Sequence, residues 1–331
     1  MNNIAIIGHN NALSKNLLEL MSLRGYSKDN VKVFASNLSK DAQISFGDET
    51  LTISPIATFN HSEFAAVVCV SEGIMPQKQM LEIASSGLLV INATSCLNGL
   101  DNIPMVVGNI NEGFSCPQNI INVPSPHVVQ LLSAIAGLQK YKIKSVRVSS
   151  YVSADFEGQD GMTLLYNQTR RILMNDMISS GNNLFHKTLA FNVIPQVGTF
   201  IGEETSIEWL YNSQIKQVLG LDIKVHANCA VVPAFVGLGQ FANIETTEEI
   251  DADMAKEDIK KTRGVLVVDR QEDGGYASLN DVQGESSVFV SRIRQDMTTE
   301  NGISLWVCGD SYKISAQNIL ALLKQLLKKD R

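Results

Sequence analysis

The chain has 331 residues, 44% of them hydrophobic and only 18% charged, against the ~25% charged content usual for a soluble domain. That length accommodates two domains, and the apolar content is too high for a disordered chain. With 27 Lys and Arg against 34 Asp and Glu the formal charge is −7, which argues against broad phosphate neutralisation, so no nucleic-acid partner is expected.

The opening MNNIAIIGHN lacks the basic flank and apolar core of a secretory signal. No apolar run reaches membrane-spanning length, and the expectation is a cytoplasmic protein without a membrane partner. Asn3 to Ile7 reads as a buried strand running into Gly8, followed by a helix from Ala12 to Leu23 with Leu13, Leu17, Leu20 and Met21 on one face. Strands follow at Val31–Ala35, Leu51–Ser54 and Ala65–Val70, then a helix over 75–87 with a proline in its first turn and Gly87 at its end. LLVINAT, PMVVG and NIINV complete the alternation near Val123. Such β–α repetition predicts a mostly parallel sheet with helices on both faces.

Beyond His127 the pattern changes. Helices are expected at 127–138, 158–178, 203–219 and 249–261. Strands are expected in SVRVSSY, DIKVHANCAVVPAFVG, QFANIE, VLVVD, SSVFVSRIRQD and ISLWVCGD. They describe an extensive mixed sheet. A last amphipathic helix from Ser315 to Lys329 carries Ile319, Leu322, Leu323, Leu326 and Leu327. The domain boundary is expected between Val123 and Gln130, where two prolines interrupt the pattern.

The turn after the first strand, Gly8-His9-Asn10-Asn11-Ala12-Leu13-Ser14, keeps one glycine of a dinucleotide-binding fingerprint. Bare N–H groups there could receive an anion, although the side chains of His9, Asn10 and Asn11 narrow the approach. A plain α/β turn and a dinucleotide site, with Gly8, Asn10, Asn11, Ala12 and Leu13 as its contacts, both remain open. Ala35-Ser36-Asn37 leaves the second strand without an acidic end. Ser125 and His127 stand two residues apart at the domain junction, a candidate polar pair separated by Pro126. The five cysteines, Cys69, Cys96, Cys116, Cys229 and Cys308, form no CxxC pair and read as reduced. His61, His186 and His226 occur singly, and no metal-ligand spacing appears. SADFEGQDG places Asp155, Glu157 and Gln159 together, and its bland reading is a solvated loop and helix start.

IAIIG, LLVINATS, IPMVVGNIN, LAFNVIPQVG, DIKVHANCAVVPAFVG, SSVFVSRIRQD and ENGISLWVCGDS, in that order, resemble the aspartate-β-semialdehyde dehydrogenase family over the whole chain. The resemblance implies an N-terminal Rossmann-like NAD(P)-binding-type domain, 1–126, completed by a C-terminal helix at 312–331. It implies an α+β catalytic and dimerisation domain at 127–311, and a homodimer formed through it. In that family NADPH reduces aspartyl phosphate through a thioester on a cysteine.

Position by position, the resemblance puts Pro126 at the nucleophilic cysteine, Leu238 at the catalytic histidine and Val152 at the glutamine of the central strand. Val231 stands at the substrate-orienting arginine, Asn98 at the phosphate-binding arginine and Gln214 at a helical glutamate. Without a thiolate no acyl-enzyme forms, leucine moves no proton, and two guanidinium forks are gone. Usg-type members of the family similarly lack the cysteine. The expectation is therefore a non-catalytic homologue, a pseudoenzyme with a structural, regulatory or protein-partner role and no assured cofactor. The alternative is an NAD(P)-dependent oxidoreductase acting on an aldehyde or acyl phosphate through a rebuilt site, using groups such as Ser125, His127, Asp155, Glu157 and Gln159.

Overall fold

The computed structural model describes residues 3–36, 38, 41–100, 102–111, 113–176 and 184–329. Asn37, the last two residues of the helix expected over 158–178, and residues 330–331 lie outside the described residues. The chain divides into two compact units, 1–129 with 315–331, and 130–314.

The first unit is built on β1 (Ile4–Ile7), β2 (Val31–Ala35), β3 (Gln43–Phe46), β4 (Glu49–Pro55), β5 (Ala66–Cys69), β6 (Leu89–Asn92) and β7 (Ile120–Asn122). Their order is β3-β4-β2-β1-β5-β6-β7, a Rossmann-like sheet that is parallel except for the β3–β4 hairpin at one edge. β1 and β5 are buried at every residue, as strands covered on both faces must be. Between strands run α1 (Ala12–Leu23) and α2 (Gln77–Ser85). Pro76 stands just before α2 rather than inside its first turn, where its missing N–H costs nothing. Because β1 is flanked by β2 on one side and β5 on the other, the strand order reverses there, opening a crevice at the carboxyl ends of β1 and β5.

Two local expectations fail in this unit. β3 alternates exposed and buried residues beside β4, and its short polar pattern, QISF, gave no expectation of a strand. PMVVG, expected as a strand, makes a single bridge between Met105 and Asn122. The run is closed by a turn in which the Val107 N–H donates to Asn111 Oδ1 at 2.9 Å, so burial of Val106 and Val107 is met by an extended loop instead of a ladder.

The second unit carries β8 (Ile143–Val152), β11 (Lys224–Val231), β12 (Leu238–Thr246), β13 (Val265–Val267), β14 (Val288–Gln295) and β15 (Gly302–Gly309). They form one mixed sheet in the order β11-β8-β12-β15-β14-β13, with β11 parallel to β8, β13 parallel to β14, and the remaining pairs antiparallel. A small hairpin of β9 (Phe200–Ile201) and β10 (Glu204–Thr205) takes the residues expected to begin the 203–219 helix. That helix, α5 (Ser206–Leu219), starts where Glu208 Oε2 accepts the Thr205 N–H at 2.8 Å. α4 (Gly158–Leu173) and α6 (Ala252–Lys260) complete the unit. Two further helices, α3 (Pro126–Ile135) and α7 (Ser311–Lys329), contain the points where the chain passes from one unit to the other. No helix among the described residues is long and apolar enough to cross a membrane.

Candidate functional site

In the first unit, Gly8 has φ +116°, and a Cβ there would lie 2.1 Å from Ser71 Oγ. Only glycine allows the chain to turn this closely past β5. Asn11 is the N-cap of α1: its Oδ1 accepts the Ser14 N–H at 2.8 Å. Its Nδ2 donates to Val70 O and Ser71 Oγ, both at 2.7 Å, and so ties the first turn to the end of β5 across the switch point. His9 and Ala12 are half-buried, Asn10 is exposed and Leu13 is buried. Burial, with the nearby Lys15 charge second, lowers the His9 pKa. The first-turn N–H groups lie at the positive end of a 12-residue helix.

Asn98 follows the short turn Ser95–Leu97, and its buried Nδ2 has no hydrogen-bond partner among the described residues. Ser125 O accepts the N–H groups of Val128 and Val129, both at 3.0 Å, which makes Ser125 the start of α3. Pro126 is the first helical residue, where a fixed φ helps and a missing N–H is harmless. The proline thus has a local reason to stand there. His127 is buried, and burial lowers its pKa to about 4, so the imidazole is neutral at pH 7.

In the second unit the sheet register brings three of the singled-out positions side by side. Val152 pairs with Val231 on β11 and with Leu238 on β12. All three side chains are at most 2% exposed. Gln130 Nε2 donates to Leu238 O at 3.0 Å and Gln240 Oε1 at 2.9 Å, fixing the start of β12 from below. Gln214 is buried on α5, which packs on β11. The row at the ends of three strands is apolar and almost wholly buried.

The SADFEGQDG stretch is not the solvated loop expected. Asp155 lies in a helical turn over Ala154–Glu157, where its Oδ1 accepts the Ser153 hydroxyl at 2.5 Å. Burial raises its pKa to about 6, helped by the Asp310 charge and opposed by the Ser153 hydrogen bond. Glu157 is also raised by burial, with His186 pulling the other way. Gln159 remains exposed at the start of α4.

Beside this turn is a cavity of about 440 Å³ lined by Phe156, Glu157, Phe185, His186, Gln196 and Val231 among others. His186 holds a left-handed backbone, φ 58°. The cavity is assembled from four separate segments, so sequence reading found Glu157 and Val231 but not Phe156, Phe185 or Gln196. His186 was visible only as a lone histidine. Four of the five thiols are disfavoured as thiolates: burial raises the pKa of Cys69, Cys96 and Cys229, and takes Cys308 to about 12. Among the described residues no cluster of His, Cys, Asp or Glu could hold a metal ion.

Residues 135–312 match the family model described as "Semialdehyde dehydrogenase, dimerisation domain". The chain is 30% identical over 334 residues to the aspartate-semialdehyde dehydrogenase of Rickettsia bellii, covering 98% of each chain. It is 28% identical to that of Bacillus subtilis, over 98% of this chain and 97% of the relative. The structure is similar to that of aspartate semialdehyde dehydrogenase II from Vibrio cholerae complexed with ASA. The TM-score is 0.89 and the identity 26%, covering 99% of this chain and 98% of the other. End-to-end similarity to these dehydrogenases overturns the expectation of a non-catalytic homologue with a structural, regulatory or interaction role. The similarity runs over the whole length of the scaffold.

Proposed function

The chain belongs to the aspartate-semialdehyde dehydrogenase family, and from that premise we propose that it is an NAD(P)-dependent oxidoreductase acting on an aldehyde or acyl phosphate through a rebuilt site. The observation that carries this reading is the cavity of about 440 Å³ in the second unit, with Val231 in its wall and Glu157 facing it. Position 231 is where the family resemblance puts a substrate-orienting arginine. A site that had simply been abandoned has no need of an open cavity at that wall.

The first unit fits the cofactor. Gly8, whose Cβ would collide with Ser71, keeps the tight β1–α1 turn that lets a pyrophosphate approach. Asn10, Asn11, Ala12 and Leu13 are assigned to the pyrophosphate through backbone N–H groups, because the Asn11 side chain is already engaged by Ser14, Val70 and Ser71. Ser36 after β2 offers no carboxylate to repel a 2′-phosphate. This supports NADP at least as well as NAD.

When bound, the reduced nicotinamide supplies a hydride. Pro126 supplies no thiolate, so this member of the family works without a covalent acyl-enzyme. Reduction of an aldehyde to an alcohol needs none: the carbonyl carbon takes the hydride and the carbonyl oxygen takes a proton. Glu157 donates that proton, since burial keeps its carboxyl protonated to higher pH than an ordinary glutamate. The apolar row of Val152, Val231 and Leu238 keeps water from one end of the second-unit sheet. An acyl phosphate is the poorer fit, because among the described residues no Lys or Arg lines the second-unit cavity to receive the phosphate. Ser125 and His127 are kept as secondary candidates in the first unit. The dimerisation-domain match supports a homodimer.

Titration of the purified chain with NADPH and NADH, followed by cofactor oxidation with a panel of aldehydes, tests the reading. Binding with turnover of at least one aldehyde is expected. A folded chain that binds neither cofactor contradicts it.

A further inference from the structure

We infer that the second-unit cavity selects uncharged aldehydes with an apolar body and rejects those carrying a carboxylate or phosphate. The inference rests on the oxidoreductase reading for its word aldehyde and on the cavity alone for its charge rule.

The walls decide the charge. Phe156 and Leu184 present hydrocarbon, with the almost fully buried Phe185 and Val231 packed into the wall beside them, while Gln196 and Thr199 present neutral polar groups. Among the described residues the only acidic lining residue is Glu157, and the only basic one is His186, which is exposed. Neither Lys nor Arg lines the cavity among the described residues. The surroundings of Glu157 add acidic charge: after burial itself, Asp155, Glu157 and Asp310 all raise the pKa of the Tyr312 phenol. A substrate carboxylate in this cavity would lose its water with no guanidinium to receive it and with carboxylates nearby. An uncharged hydrocarbon tail gains by leaving water for the half-buried Phe156 and Leu184 surfaces. Gln196 Nε2 donates to Gly198 O at 3.2 Å, which ties the amide to its own loop.

Size agrees with a small substrate. About 440 Å³ falls at the low end of the roughly 300–1,000 Å³ of small-molecule pockets. It suits an aldehyde with a short aliphatic chain or a single aromatic ring.

Isothermal titration of the full chain without cofactor provides a readout independent of turnover, using benzamide and 1-hexanol against succinate and glutarate. The neutral probes should bind at least about tenfold more tightly than the dicarboxylates, a difference of about 1.4 kcal/mol. Gln196→Arg, on a half-buried wall position, should erase or reverse that ratio; Val231→Arg should do the same wherever thermal melting shows it folded. A dicarboxylate that binds as tightly as the neutral probes, binding of neither class, or a ratio unmoved in the folded Gln196→Arg chain overturns the inference. The turnover arm compares hexanal with 4-oxobutanoate, and kcat/KM should favour hexanal by at least about tenfold. Turnover favouring 4-oxobutanoate overturns the charge rule while leaving the oxidoreductase reading intact. Intact neutral binding with no turnover of any aldehyde supports the charge rule and counts against the oxidoreductase reading.

Discussion

Val152 on β8 is the direct cross-strand partner of Leu238 on β12, and both side chains are at most 2% exposed. Val231 pairs with the other edge of the same Val152. Three positions that family resemblance associates with a glutamine, an arginine and a histidine are therefore one continuous apolar row. Substitutions that look independent along the chain are neighbours in the sheet. An isolated arginine or histidine restored among two aliphatic partners would be a buried polar group without its companions.

Packing in that row sets the first prediction. Leu238→Ala should destabilise the protein by about 2–5 kcal/mol, since it opens a cavity beside Val152 in a rigid sheet. Denaturant unfolding of the two proteins measures it. A loss under about 1 kcal/mol would show that the row collapses readily.

Gly8→Ala should destabilise the first unit, because the added Cβ meets Ser71 Oγ at 2.1 Å and φ is +116°. Adding Ser71→Gly removes the side-chain collision but leaves a 3.0 Å contact with the residue 71 backbone nitrogen and the backbone strain, so it should recover only part of the loss. Thermal melting of the single and double variants distinguishes the two contributions.

The buried His127 and the half-buried Asp155 give opposite pH dependence over nearly the same range. His127 titrates at about 4 when folded and near ~6.5 when unfolded. The native state then binds fewer protons, and its stability falls as pH drops from about 6.5 to 4. Asp155 titrates at about 6 when folded and near ~3.9 when unfolded. The native state binds more protons there, and stability is lost as pH rises from about 4 to 6. Asp155→Asn should therefore stabilise the protein at pH 7.5 by about 1–2 kcal/mol, with little gain at pH 4. His127→Gln should flatten the acid limb. Unfolding curves at several pH values check both signs.

Glu157→Gln should lower kcat for aldehyde reduction by about 10²–10³ with a smaller change in KM, because the amide occupies the same space but donates no proton. The alkaline limb of the kcat profile should disappear with it. An unchanged pH profile would assign the proton to another group.

The alternation of strands and helices was legible because buried parallel strands such as AVVC and LVIN are continuous apolar runs between turn signals. Helix α1 was legible to its ends, from Ala12 to Leu23. The QISF strand was not, since it is short, polar on one face and stabilised by its hairpin partner. PMVVG misled for the opposite reason: burial made it apolar without making it a strand. At the site, family resemblance alone assigns reacting groups to the positions of Val152, Val231 and Leu238, and the expectation of an inactive protein rested on that assignment. The cavity could not be read, because Glu157, Phe185, Gln196 and Val231 come together only when β11, the α4 approach and the loops before α5 are folded. Loss of one set of reacting groups is visible in a sequence, whereas the space and charge that remain are properties of the fold.

The central claim is an oxidoreductase working from the second-unit cavity without a thiol. Its most direct measurement is cofactor oxidation by the purified chain with NADPH and NADH, against hexanal, benzaldehyde and an acyl phosphate, beside the folded Glu157→Gln variant. Aldehyde-dependent oxidation proportional to protein concentration and largely lost in the variant is the expected result. No oxidation above the blank with either cofactor and any of these substrates, from protein shown to be folded, would contradict it.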